Sequence, residues 1–72
     1  MNKDLLKGEI RAKAMTQDAV AARIGVSRSR FNAKLNGHKG AEFTLGEVRA
    51  MKKLLYLSKD QVDEIFFDEK VS

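Results

Sequence analysis

Residues 16 to 37 read Thr16-Gln-Asp-Ala-Val-Ala-Ala-Arg-Ile-Gly-Val-Ser-Arg-Ser-Arg-Phe-Asn-Ala-Lys-Leu-Asn-Gly37. Two short helical patterns meet here across Ile24-Gly25-Val26-Ser27. Thr16 and Ser27 are N-cap residues, whose hydroxyls accept one of the free N–H groups at a helix start. Gly25 is the residue that turns the chain, because glycine enters the left-handed region without a Cβ penalty. Val20, Ile24, Val26, Phe31 and Leu35 form one apolar seam, and Ala21 is small where the two helices must approach. The spacing predicts helices over 17 to 24 and 28 to 36.

The rest of the chain repeats the same grammar. An apolar residue, a Ser/Thr cap and a second apolar residue at the fourth helical position recur in Met15-Thr16 with Val20, Val26-Ser27 with Phe31, Phe43-Thr44 with Val48, and Leu57-Ser58 with Val62. This is the hydrophobic staple, and Glu47 and Gln61 complete capping boxes with Thr44 and Ser58. Helices are therefore expected at 3 to 14, with Asn2 as cap, at 45 to 56 and at 59 to 67. Leu6, Ile10 and Ala14 step by four along the first of these. Gly8 sits inside it, either to admit a close neighbour or as a weak point. Gly37 is placed to end the helix over 28 to 36, and G-H-K-G-A-E-F is a loop. The fold class is all-α: a single five-helix domain over 1 to 67, with 68 to 72 fraying at the end. The expected core is Leu6, Ile10, Val20, Ala21, Ile24, Val26, Phe31, Leu35, Phe43, Leu45, Val48, Met51, Leu55, Leu57, Val62, Ile65 and Phe66.

Seventy-two residues without cysteine or proline allow one small core, with no disulfide or thiolate metal site to staple it. The absence of cysteine suits a reducing compartment. No apolar run is long enough for a membrane span or a secretory h-region. The charge is +4 overall but unevenly placed: residues 1 to 40 hold nine Lys/Arg against three acids, net +6, and residues 41 to 72 hold five against seven, net −2. A basic front half suits a polyanion bound on one side; an ordinary solvated surface is the alternative.

With Phe31 and Leu35 facing inward, a 100° step turns Ser29, Arg30, Asn32, Ala33 and Asn36 outward to varying degrees, with Arg28 in the first turn. The first residues of such a helix meet base edges in the major groove. Arg binds guanine O6 and N7 in bidentate fashion, Asn does the same with adenine, and Ala33 leaves room for a thymine methyl. Gln17 opens the preceding helix, where its amide and the free N–H groups face a phosphate. Asn36, Lys34, His38 and Lys39 lie near the other end. The candidate DNA-contacting set is Gln17, Ser27, Arg28, Ser29, Arg30, Asn32, Lys34 and Asn36. Taken singly, Gln17 and Asn36 also read as helix caps, and Arg28, Arg30 and Lys34 as solvated charges; the constellation favours double-stranded DNA.

The run T-Q-x-x-V-A-x-x-I-G-V-S-x-x-x-F-x-x-x-L-N-G, followed by F-T-L-x-E-V and L-L-x-L-S-x-D-x-V-x-x-I-F, resembles the phage Cro and repressor type of helix-turn-helix protein, the XRE family, over about residues 4 to 67. The resemblance implies a five-helix DNA-binding domain that binds operators, usually as a homodimer. By position it makes Gln17 a backbone-contacting glutamine and Asn36 a phosphate-contacting asparagine, and it puts Arg28, Ser29, Asn32 and Ala33 in the base-reading region. Where many members carry glutamines, this chain has Arg, Ser and Asn. The chain is also similar to the small antirepressors that modulate repression in Gram-positive temperate phages, which implies the resident phage repressor as a protein partner. The implied compartment is the bacterial host cytoplasm, with no membrane partner.

Two functions follow as expectations. One is a transcriptional regulator of a phage lysis/lysogeny switch that reads an operator. The other is an antirepressor that captures a repressor, for which Tyr56, Phe66 and Phe67 are the candidate contacts, since adjacent aromatics cannot both face one small core. The alternative for those aromatics is a homodimer face, or a ring folded over the core. An enzyme is not expected: His38, the only histidine, has no cysteine or carboxylate pair beside it to build a nucleophile or a metal site. No cofactor and no metal are implied.

Overall fold

A computed structural model describes residues 1 to 67; the expected fraying of 68 to 72 lies outside the described residues. The order of elements is α1 (Lys3–Ala12), α2 (Gln17–Ile24), α3 (Arg28–Asn36), a 3-10 turn (His38–Gly40), α4 (Leu45–Leu54), α5 (Lys59–Val62) and a π-helical turn (Asp63–Phe67). The fold is an all-α globule of five helices, and no strand occurs among the described residues.

Each helix begins on the cap its sequence supplies. Asn2, Thr16, Ser27, Thr44 and Ser58 accept from the backbone N–H of Leu5, Ala19, Arg30, Glu47 and Gln61 at 3.1 to 3.2 Å. The side chains of Glu47 and Gln61 return the bond to Thr44 N–H and Ser58 N–H, both at 2.8 Å, which closes the two capping boxes.

The helix ends depart from expectation in three places. α1 stops at Ala12 and α4 at Leu54, each two residues early, because Ala14 and Tyr56 take left-handed conformations with φ +56° and +52°. The N–H of the residue after each then folds back, Met15 to Ile10 C=O at 3.0 Å and Leu57 to Lys52 C=O at 2.9 Å. α2 closes in the same way through Gly25 at φ +80°, with Val26 N–H on Ala21 C=O at 2.9 Å. All three are the same helix terminator, but only one carries the glycine that makes it visible in a sequence. α5 covers a single turn, and the rest of its expected length is the wider π turn.

Among the described residues, twelve form the buried core: Leu6, Ile10, Val20, Ala21, Phe31, Leu35, Val48, Met51, Leu55, Leu57, Val62 and Ile65. Ile24, Val26, Phe43 and Phe66 pack against it half-buried, as do Met15 and Leu54, which the apolar stripes did not single out. Leu45 is the correction: it is 56% exposed. It occupies the first helical position after the Thr44 cap, and there the staple buries the residue before the cap instead. Phe31, Phe43 and Phe66 meet edge to face, with centroids 5.3 and 6.2 Å apart, and so join α3, the loop and the C-terminal turn. Asn2 N–H donates to Ile65 C=O at 2.6 Å, which ties the two ends of the described chain together. Gly8 has no neighbour within 4 Å of a built Cβ, so close approach does not explain it. Among the described residues no helix is long and apolar enough to cross a membrane.

Candidate nucleic-acid interface

α2 and α3 are joined by only Gly25, Val26 and Ser27, and they pack on each other through Val20, Ala21, Phe31 and Leu35. This inward seam fixes which side of α3 faces out. Ser29, Arg30 and Asn32 are exposed, as are Arg28 and Asn36 at its two ends. Ala33 is half-buried. Gln17, the first residue of α2, is half-buried and its amide has no partner among the described residues. The hydroxyl of Ser27 already caps α3 by accepting from Arg30 N–H, which leaves its own O–H as a donor.

Three of the eight candidate contacts, Arg28, Lys34 and Asn36, have partners on other helices that no sequence spacing indicated. The Arg28 guanidinium lies against Asp18 in the first turn of α2: Nε donates to both carboxylate oxygens at 3.0 Å, and Nη2 donates to Oδ2 as well. This pair is open to solvent, with 80% of the Arg28 side chain and 53% of the Asp18 side chain exposed. Hydrogen bonding from Arg28 holds the Asp18 carboxyl below its usual range. Lys34 lies on the other flank of the helix, where Nζ donates to Glu47 Oε1 and Oε2 at 2.7 and 2.8 Å. Both side chains there are mostly buried, at 18% and 17% exposure. Burial pushes the Glu47 carboxyl up, but hydrogen bonds from Lys34 and from Thr44 N–H outweigh it and hold the group below the ordinary glutamate range. Asn36 Nδ2 donates to Asn32 C=O at 2.9 Å, and its Oδ1 accepts from Lys3 Nζ at 3.3 Å.

The outward surface therefore brings together Gln17, Ser27, Arg28, Ser29, Arg30, Asn32 and Asn36, with Lys3 added from α1. Lys34 instead braces α3 against α4. Asp18 and Glu47 were not legible as partners because they lie 10 and 13 residues from the cations they meet. A weak signal existed for Asp18: α3 opens on a cation with no acid in its first turn, which is the unfavourable sign for a helix N-terminus and calls for a carboxylate from elsewhere.

The three aromatics expected as protein contacts do not share one surface. Tyr56 is 83% exposed and borders a shallow groove with Met15, Arg23, Ile24, Lys53 and Leu54. Phe66 packs on Phe43, and both it and Phe67, which is 54% exposed, border a second groove that includes Met1, Lys3 and Asn36. Asp63 and Glu64 are exposed on the same C-terminal turn as Phe67, and Asp60 is exposed on α5 just before it. No protein family, curated protein or solved structure matches the chain.

Proposed function

We propose that this chain is a helix-turn-helix regulator of a phage lysis/lysogeny switch, and that it binds operator DNA by laying α3 in the major groove. The observation that carries this reading is the two-sidedness of α3. Phe31 and Leu35 are buried within the domain, while Ser29, Arg30 and Asn32 project outward beside Gln17 at the start of α2. Base-edge donors in the first turns of one helix, next to an amide and the free N–H groups at the start of another, are what groove and phosphate require. The cation count of the first forty residues supports it.

A second reading, capture of the resident repressor, is favoured by a different feature. The C-terminal segment exposes Phe67 together with Asp60, Asp63 and Glu64, an aromatic among acids. Such a surface complements the basic DNA-reading face of a repressor, and buried aromatics commonly dominate binding energy at interfaces.

One titration separates the readings. Binding to switch-region duplex is measured against random duplex at two salt concentrations, with and without the repressor. The DNA reading expects sequence preference and a negative salt slope for the chain alone. Binding to the repressor and not to DNA, abolished by Phe67→Ala, would transfer the function to the second reading.

A further inference from the structure

The Arg28–Asp18 pair is too exposed to be explained by stability, since ion pairs in open solvent contribute little. Its geometry is more informative. A guanidinium has five N–H donors. Here Nε–H and one N–H of Nη2 face the carboxylate, and the Arg28 side chain has no other hydrogen bond among the described residues. The remaining edge, formed by Nη1 and the second N–H of Nη2, is a parallel pair of donors with no partner among the described residues. That is the donor pattern guanine O6 and N7 accept in the major groove. A free arginine at this position would have to order its long side chain on binding, and would attach to phosphates just as readily.

We infer that Asp18 is a positioning residue for base readout, holding the Nε side of Arg28 so that the free Nη1–Nη2 edge of the guanidinium meets a guanine. The inference rests on the DNA reading above. It also assigns a cost: a carboxylate in the first turn of α2, next to Gln17, repels the phosphate backbone. Asp18 thus trades general affinity for discrimination at one base pair. Its removal should move the two quantities in opposite directions, which loss of a merely structural contact would not do.

The test is selection from a random-duplex library with the full chain and its Asp18→Ala, Asp18→Asn, Asp18→Glu and Arg28→Ala variants, alongside titration of one random duplex. The wild type is expected to select guanine at one position of its site, and Arg28→Ala to lose that preference. Asp18→Ala and Asp18→Asn should lower the same preference by about tenfold while binding the random duplex more tightly, and Asp18→Glu should retain most of it. Unchanged guanine preference in Asp18→Ala, or equal weakening on every duplex, overturns the positioning role and leaves the DNA reading standing. A wild-type chain with no base preference anywhere overturns both.

Discussion

α3 carries two ion pairs of similar chemistry and opposite circumstance. Lys34–Glu47 is mostly buried, and its carboxylate also closes the α4 capping box. Arg28–Asp18 stands in solvent and closes nothing else. The first has exchanged water for a fixed set of donors, so removing one partner strands the other in a poorly hydrated place. The second remains hydrated, and Arg28 can take a ligand group on its unpaired edge while Asp18 still holds the other. Burial, more than residue type, separates a cation that holds the fold from one available for recognition.

The comparison is broken most severely at Glu47. Glu47→Ala removes two charge-assisted bonds and half of a capping box, and should cost about 2 kcal/mol in urea unfolding. A loss no larger than that of exposed substitutions would mean that burial does not distinguish the pairs. Next in size is a pair of gains in regions neither ion pair touches. Gly8→Ala fills open space on a helix and should add about 1 kcal/mol. Tyr56→Gly relieves a left-handed residue and should add a similar amount. If Tyr56 contacts a protein partner, its replacement will raise the melting temperature while weakening that complex.

A smaller effect is the pH dependence. The Glu47 carboxyl titrates below its unfolded value, so its contribution is complete above the ordinary glutamate range near about pH 4.3 and is lost as the pH falls through the lower folded value. Denaturant midpoints measured from pH 6 downward should therefore fall less steeply in Glu47→Gln than in the wild type. The smallest effect belongs to Asp18→Ala, for which melting temperature should not change measurably in moderate salt, in contrast to its effect on DNA discrimination.

Helix starts were legible in the chain because a cap is a local event. Thr16, Ser27, Thr44 and Ser58 each bond an N–H three residues away, so type and spacing suffice. Helix ends were legible only where glycine marked them. Ala14 and Tyr56 serve the same terminator without it, and that choice is made by the apolar residue and cap that follow, Met15-Thr16 and Leu57-Ser58. Burial followed the stripes except at Leu45, which is exposed at the first position of α4, and at Met15 and Leu54, which pack on the core unannounced. On the candidate surface, the outward direction of Ser29, Arg30 and Asn32 follows from Phe31 and Leu35 by helical geometry alone. The partners Asp18, Glu47 and Lys3 come from other helices, and their meeting with Arg28, Lys34 and Asn36 depends on how α1, α2 and α4 pack around α3.

The central claim, that α3 presents its outer side to DNA, is tested most directly by following backbone amide chemical shifts as switch-region duplex is titrated into the wild-type chain. The account predicts perturbations concentrated at Gln17 and along Ser27–Asn36, fading as salt is raised, with Lys59–Phe67 unmoved. Shifts confined to Lys59–Phe67, or a duplex that leaves Ser29, Arg30 and Asn32 unperturbed at low salt, would contradict it.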